Sequence, residues 1–227
     1  MSGFMLIDSE FSIDETAVAE QNAERGPTDR IVVDQRTRGI VSGCRVTLCL
    51  LPIDVIADPD IQYSDIPLQL ELHPSPGCQF TRCTLGIDLS SNPNARIRDM
   101  APRGEVSAPV TYSIKRSSKA SLQVPQVVGT KVATEVKQKW DVVYPTLTTS
   151  GINTAIALWT FIAARNERIH VRNELRLIAE NTPQEVLLAR ITLNARARLE
   201  GLSSMLPLVA KVAHDQIYRL VSSSTSV

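Results

Sequence analysis

The stretch that decides the fold is PQEVLLARITLNARARLEG, residues 183–201. Its beginning mimics a helix start, because Thr182 and Pro183 precede Glu185 as in a capping box and the residues that follow have good helix propensity. From Ala189 to Glu200, however, apolar and polar side chains alternate without a break. A helix would carry the arginines of this stretch into its apolar stripe. The alternation therefore predicts a β-strand.

The same period of two recurs in other parts of the chain. It is found in CTLGIDL (83–89), in KVATEVKQKWDVVYP (131–145) and in IHVRNELRLIA (169–179). Turn signals such as LHPSPG, SSNPNA and LTTSGIN separate these runs at the short spacing of antiparallel connections. The pattern predicts an all-β protein, an antiparallel β-sandwich of about eight to nine strands.

The two ends of the chain depart from this pattern. Residues 1–29 are acidic and end in the breaker RGPT, which predicts a flexible arm with one short helix from Asp14 to Arg25. At the other end, apolar residues between 207 and 221 have roughly helical spacing, which predicts a short C-terminal helix before a fraying tail. The predicted organisation is an acidic flexible arm (1–29), a β-sandwich domain (30–206) and a C-terminal helix and tail (207–227).

The segment RIRDMAPRGEV, residues 96–106, has the composition of a loop that could hold an anion. Its position between two strand-like runs favours a structural corner instead. In that interpretation Ile97 and Met100 are buried, Asp99 accepts backbone hydrogen bonds in the bend, and Pro102 with Gly104 sets the exit of the chain.

Charge is distributed unevenly, although the formal net charge is zero. Residues 1–72 hold 13 acidic and 5 basic side chains, whereas residues 73–227 hold 11 acidic and 19 basic ones. This asymmetry is compatible with head-to-tail association, with a segment folding onto its own basic face, or with two different partners. No run reaches the roughly 18 apolar residues of a membrane-spanning helix, and the N-terminus lacks signal-peptide features, so we expect a cytoplasmic protein.

Four cysteines form two C-x4-C pairs, Cys44 with Cys49 and Cys78 with Cys83. We expect reduced, mostly buried thiols that act as small hydrophobic side chains. A disulfide and a metal site remain alternatives, although residues five apart on a strand face opposite sides.

Candidate catalytic groups are scattered. The three histidines, His73, His170 and His214, lie far apart in the sequence, and the common nucleophile, phosphate-loop and zinc-protease motifs are absent from it. Asp58, Asp60 and Asp65 could bind calcium, but their spacing matches no EF-hand. We therefore expect no catalytic residues, no cofactor and no enzyme activity.

Basic residues on the predicted strands are the best binding candidates. If the strands that carry them are neighbours, outward arginines could bind phosphate, anionic lipid or an acidic protein. These candidates are Arg172, Arg176, Arg190, Arg196 and Arg198. We do not expect specific nucleic-acid binding, because aromatic residues are only 4% of the chain and Trp140, Trp159 and Phe161 fall at core positions.

Four segments together resemble an uncharacterised group of microbial β-sandwich proteins. They are RIRDMAPRGEV (96–106), VVYPTLTTSGINTAIALWTFIA (142–163), IHVRNELRLIAEN (169–181) and LLARITLNARARLEGL (187–202), and the resemblance spans about residues 66–206. It implies a stand-alone sandwich module and brings no activity or site residue with it.

Three functional hypotheses follow. The first is a non-enzymatic binding or assembly module that acts through protein–protein contacts, including self-association. The second is a binder of anionic surfaces, such as phosphate, anionic lipid or an acidic partner, through the basic sheet face. The third is a metal protein or hydrolase centred on His73 and Cys78.

Overall fold

The computed structural model describes residues 3–26, 30, 33–57, 60–106, 110–117, 135–142, 145–163, 169, 171–183, 185–199 and 209–221. Within these residues the chain forms two helices, α1 (Glu15–Ala23) and α2 (Gln35–Ser42). The first eight strands are β1 (Phe4–Glu10), β2 (Ser12–Ile13), β3 (Arg45–Leu50), β4 (Asp54–Ala57), β5 (Gln62–His73), β6 (Cys78–Asp88), β7 (Arg96–Ala101) and β8 (Gly104–Val106). The remaining strands are β9 (Val110–Ser117), β10 (Glu135–Val142), β11 (Pro145–Ser150), β12 (Ile156–Ile162), β13 (Arg172–Asn181), β14 (Leu187–Leu199) and β15 (Val209–Val221).

The chain divides into two compact units. Residues 1–105 and 145–227 form the larger one, and residues 106–144 form the smaller one. In the smaller unit β9 and β10 pair as an antiparallel hairpin, with Glu135 opposite Ser117 and Val142 opposite Val110.

The larger unit is an antiparallel β-sandwich, as predicted. Its first sheet has the strand order β1-β3-β5-β13-β7, with β4 also paired to β5. Its second sheet has the order β2-β15-β14-β6-β12-β11-β8. The additional strands relative to the predicted number include several short ones, β2, β4 and β8 among them, which carry too few residues to show an alternating pattern.

One hydrophobic core is built from the inward positions of both sheets. Leu68, Leu70 and Leu72 of β5 are buried from the first sheet, and Leu85 and Ile87 of β6 from the second. Each such side chain contributes about 1.5–3 kcal/mol through its burial. In β14 every second residue from Leu187 to Ala197 is buried, which confirms that the alternation outweighs the helix propensity of this stretch.

The prediction of a flexible N-terminal arm is wrong. β1 pairs with β3, and the segment buries Leu6, Ile7, Phe11 and Ile13 in the core. The predicted short helix is present as α1. The acidic residues suggested solvation, but the apolar residues between them supply enough buried surface to order the segment.

The prediction of a C-terminal helix is also wrong. Residues 209–221 form β15, which pairs with β14 from Arg198↔Val209 to Leu187↔Val221. A helix would leave the backbone groups on this side of β14 without a strand partner, whereas β15 satisfies them along its whole length. The Tyr218 hydroxyl also donates a hydrogen bond to the Leu6 carbonyl, which connects β15 with a strand of the first sheet.

The segment 96–106 was predicted as a corner, but it consists of β7 in the first sheet and β8 in the second, with the bend at residues 102–103 between them. Ile97 and Met100 are buried, and a carboxylate oxygen of Asp99 accepts the Met100 N–H at 2.8 Å. The same oxygen accepts Arg103 Nη2 at 2.9 Å, and Arg98 binds Glu180. Two of the three arginines of this corner are therefore paired within the protein.

Candidate functional site

The outer face of the second sheet is the candidate functional site. Because side chains alternate across a strand, its positions follow from the register of β15, β14, β6 and β12. Across these four strands, one row contains Ile217, Arg190, Asp88 and Ile156, and another contains Lys211, Arg196, Arg82 and Ile162. The side chain of Lys211 lies outside the described residues.

In the first of these rows each charged side chain has an opposite charge beside it, and we call this row with Asp215 the paired end. The Arg190 guanidinium donates two hydrogen bonds to Asp215, at 2.7 and 2.6 Å. Asp88 lies directly opposite Arg190 on β6. The hydrogen bonds from Arg190 hold the pKa of the Asp215 carboxyl below its ordinary value. Because every charge here has an opposite neighbour, the paired end has little need of an external ligand.

The second row is not balanced, and we call it the open end: Arg82, Arg196 and Ile162. Arg196 lies directly opposite Arg82, and both side chains are exposed. Within the described ranges, no carboxylate forms an ion pair with either of them. Like charges placed directly opposite each other across a sheet are destabilising. The fold therefore maintains a concentrated positive charge here.

One aliphatic side chain adjoins this charge, that of Ile162. On β12, Ile156, Leu158 and Ile162 point outward and are 50%, 37% and 36% exposed. Ile162 is the direct cross-strand neighbour of Arg82. Between the two ends the face is formed by short polar side chains, those of Thr84, Thr148, Thr160, Thr192 and Asn194. The open end thus combines two guanidinium groups with the aliphatic side chain of Ile162, which is its apolar margin.

The five arginines predicted as a binding set do not share one face. The prediction assumed that β13 and β14 are neighbours, but β13 lies in the first sheet and β14 in the second. On the first sheet, Arg172 donates to Gln69 at 2.8 Å and Arg176 forms a two-pronged pair with Asp65.

The second-sheet members of the set also differ from one another. Arg190 is paired with Asp215, and Arg198 donates to Gln79 at 2.7 Å. Arg196 is the member for which the described residues offer no side-chain partner. A binding role for these arginines stays a prediction.

Arg82 is the residue that sequence reasoning missed. It belongs to FTRCTLGIDL, where it lies just before the run CTLGIDL that predicted a strand. Its outward orientation follows from the burial of Cys83, since adjacent residues face opposite sides. Its position opposite Arg196 requires the strand order and the register, which the sequence does not state.

The other predicted sites remain dispersed. His73 lies 3.4 Å from Glu71, His214 Nε2 lies 2.9 Å from the Tyr218 hydroxyl, and His170 falls outside the described residues. Of the calcium candidates, Asp58 falls outside the described residues, Asp60 is exposed, and Asp65 binds Arg176. Among the described residues, no three His, Cys, Asp or Glu side chains gather in a way that could hold a metal ion.

The prediction that aromatic side chains lie in the core is confirmed for two of the three residues. Trp159 and Phe161 are buried, and the side chain of Trp140 falls outside the described residues.

No helix in the described part of the chain is long and apolar enough to cross a bilayer. All four cysteines are in the reduced, thiol form.

Comparisons with known proteins place the chain in no family. No family model and no curated protein matches it. Among solved structures, it is similar to Clostridium perfringens delta-toxin at 10% identity and a TM-score of 0.39, with 77% of this chain and 83% of the toxin covered. It is similar to a chain described as a pore forming protein at 8% identity and a TM-score of 0.31, covering 78% and 84%. For the Clostridium perfringens NetB toxin in the membrane inserted form, the identity is 9%, the TM-score is 0.27 and the coverage is 77% and 88%. The predicted relation to an uncharacterised sandwich group accordingly has only the β-sandwich fold in its support.

Proposed function

We propose that this protein is a non-catalytic binding and assembly module, and that the open end of the second sheet binds an acidic surface on a second copy of the chain. The observation that carries the proposal is the cross-strand pair Arg82–Arg196, two exposed guanidinium groups with no carboxylate partner among the described residues. Such an arrangement costs stability in the isolated protein and gains it when an anion approaches.

The apolar margin favours a protein surface over a small anion. Arginine and aliphatic side chains together are typical of the central parts of protein interfaces, where apolar contact excludes water and strengthens the charged hydrogen bonds. Free phosphate would contact Arg82 and Arg196 but would leave the side chain of Ile162 in water.

The acidic residues of the chain itself complement the charge of the open end and favour a second copy as the partner. Glu20 lies in α1, and Glu24 directly follows the helix, one turn after Glu20. Both are exposed, and neither forms an ion pair with the described residues. The chain thus carries an acidic feature and a basic feature that do not neutralise each other. A contact between two such different surfaces is heterologous, so each copy has one donor and one acceptor surface, and association proceeds head to tail.

The interaction is expected to be weak and sensitive to salt. An exposed ion pair contributes about 0.2–1 kcal/mol, and ionic strength of about 0.5 M screens charges beyond roughly 4 Å. Sedimentation velocity of the full chain at about 20 mM and about 500 mM salt should therefore show larger species only at low salt.

Charge reversal tests the surfaces themselves. R82E/R196E and E20K/E24K should each give a monomer at low salt, and the quadruple variant should associate again, because the two charges have been exchanged. R172E, on the outer face of the first sheet, is the matched control and should associate like the unaltered chain. Monomeric behaviour of the unaltered protein at low salt, or association that R82E/R196E leaves intact, would refute the proposal.

Two further experiments test whether the open end binds a different ligand. Co-sedimentation with vesicles containing phosphatidylserine tests an anionic lipid surface, and titration with inorganic phosphate tests a small anion. Binding of either probe that R82E/R196E abolishes, in a protein that stays monomeric, would replace the second copy with that ligand.

A further inference from the structure

Cys44 and Cys78 are brought together at one end of the sandwich, although they belong to different C-x4-C pairs. Cys44 directly precedes β3 of the first sheet, and Cys78 is the first residue of β6 in the second sheet. Both are buried, with 0% and 6% exposure. The Cys78 thiol is hydrogen-bonded to the Cys44 sulfur. The pair therefore lies where a covalent bond would connect the two sheets.

The backbone around both thiols is fixed by hydrogen bonds. The Ser75 N–H donates to Cys44 Sγ at 3.3 Å, and the Cys78 N–H donates to the Ser75 carbonyl at 2.8 Å. On the other side, the Cys44 N–H donates to the Val41 carbonyl at 2.9 Å, and the Cys44 carbonyl accepts the Phe11 N–H at 3.1 Å. The chain segments that carry the two thiols are thus held against each other.

Gly43 allows the Ser75 turn to approach. A Cβ at position 43 would lie 2.7 Å from Ser75 Oγ, which is closer than atoms can pack. The turn that leads into Cys78 is accordingly seated against the residue before Cys44.

The two hydrogen bonds to Cys44 make its sulfur the nucleophile of the pair. The Cys78 thiol and the Ser75 N–H stabilise the thiolate, which lowers the pKa of Cys44 to about 7 in spite of burial. Burial alone has the opposite effect at Cys83, where it raises the pKa to about 12. A thiolate reacts with peroxides and disulfides, whereas a thiol does not.

We propose that Cys44 and Cys78 are a reversible oxidation site, and that a peroxide converts them to a disulfide that joins the two sheets. The Cys44 thiolate attacks one oxygen of hydrogen peroxide, which breaks the O–O bond, gives a sulfenic acid and releases hydroxide. The Cys78 sulfur then attacks the sulfenic sulfur, the S–O bond breaks, and the departing hydroxide takes the Cys78 proton to leave as water. In total, two thiols lose two electrons and two protons, and one peroxide becomes two waters.

The choice of peroxide follows from burial. A small oxidant can reach sulfurs that a bulky one such as oxidised glutathione cannot, because both side chains are almost fully enclosed. A reductant of the dithiol class reverses the reaction by exchange through a mixed disulfide.

The test is peroxide treatment of the native full chain, followed by blocking of remaining thiols, digestion without reduction and mass spectrometry. We expect a peptide pair cross-linked through Cys44 and Cys78, a protein mass lower by two hydrogens, and loss of the cross-link after dithiothreitol. Cys49 and Cys83 should remain as free thiols. No cross-link, or one that involves Cys49 or Cys83, would overturn the proposal without the need for any variant.

Variants define the roles within the pair. In Cys78→Ala, the Cys44 sulfenic acid has no resolving thiol and should be trapped by dimedone, whereas in Cys44→Ala neither a cross-link nor a dimedone adduct at Cys78 should form. Cys49→Ser, on the same strand that Cys44 precedes, is the matched control and should form the cross-link to the same extent as the unaltered protein. A dimedone adduct at Cys78 in Cys44→Ala would show that the roles of nucleophile and resolving thiol are reversed and would overturn the assignment of Cys44.

Discussion

The two ends of the outer face of the second sheet differ, although they share the same strands and the same outward parity. At the paired end, Arg190 of β14 is hydrogen-bonded to Asp215 on β15 and lies opposite Asp88 on β6. At the open end, Arg196 of the same strand is flanked by Arg82 on β6, and Ile162 follows on β12. The arginines are equivalent in sequence pattern. What their neighbours supply decides whether they stabilise the sheet or remain available to a partner.

The comparison teaches that an exposed arginine is informative only together with its cross-strand neighbours. Exposed ion pairs are common on sheets and contribute little, so Arg190 needs no functional explanation. Two arginines opposite each other do require a functional explanation, because their repulsion lowers stability unless a group outside the sheet compensates their charge.

The substitution with the largest expected effect is at the turn between β11 and β12, which positions the second sheet and therefore both ends of its outer face. Gly151 lies between β11 and β12 with a φ of 128°, and a Cβ there would lie 2.0 Å from the Ile156 carbonyl oxygen. Gly151→Ala should lower the free energy of unfolding by about 3 kcal/mol or more, because both the backbone conformation and the contact exclude a side chain. Urea unfolding measures the loss.

Gly39→Ala is the matched control for this substitution. Gly39 lies in α2, and a Cβ there would meet no atom within 4 Å. Alanine should leave the free energy of unfolding unchanged or raise it by up to about 1 kcal/mol, because it favours the helix. Equal losses in Gly151→Ala and Gly39→Ala would show that the turn before β12 is not constrained as described.

A carboxylate introduced on β12 should distinguish the two ends directly. Ile162→Glu places an acid opposite Arg82, and Ile156→Glu places one opposite Asp88. The first should raise the free energy of unfolding by about 0.2–1 kcal/mol, and the second should lower it by a similar amount, because opposite charges attract and like charges repel across a sheet. Paired urea titrations at low salt measure both.

The same two variants test the proposed association. Ile162→Glu lowers the charge of the open end from two positive charges to one and should weaken the salt-sensitive self-association, while Ile156→Glu should retain it. If both variants shift stability in the same direction, the local electrostatic difference between the ends is not real. If Ile162→Glu associates as strongly as the unaltered chain, the open end is not the contact surface.

The sandwich could be predicted because burial imposes a period of two on long strands. In β14 the buried positions are those that the alternation of LLARITLNARARL indicates. In β15 the outward Ile217 is 63% exposed, so its apolar character suggested a helical stripe that does not exist. The sequence could not show that β14 needs a strand partner on this side, because strand order depends on the tertiary structure.

The candidate site was predicted only in part, for the same reason. Arg196 was recognised from its parity on β14, but Arg82 lies more than 100 positions earlier and meets it only through the pairing of β6 with β14. Cys44 and Cys78 were likewise assigned to separate sequence pairs. Sequence spacing reports neighbours along one strand, whereas both of these features depend on neighbours across strands or sheets.

The smallest expected effect is the acid dependence of the paired end. Because Arg190 lowers the pKa of Asp215 in the folded protein, the pair contributes stability above the unfolded pKa of about 3.9 and loses it as the pH falls through the lower folded value. The paired end is therefore intact at neutral pH and weakens only in acid. In an NMR titration of the carboxyl carbons, Arg190→Gln should move the Asp215 midpoint upward toward its ordinary value. Arg82→Gln, at the open end, should leave that midpoint in place, and equal midpoints in the unaltered protein and Arg190→Gln would contradict the pairing on which the comparison depends.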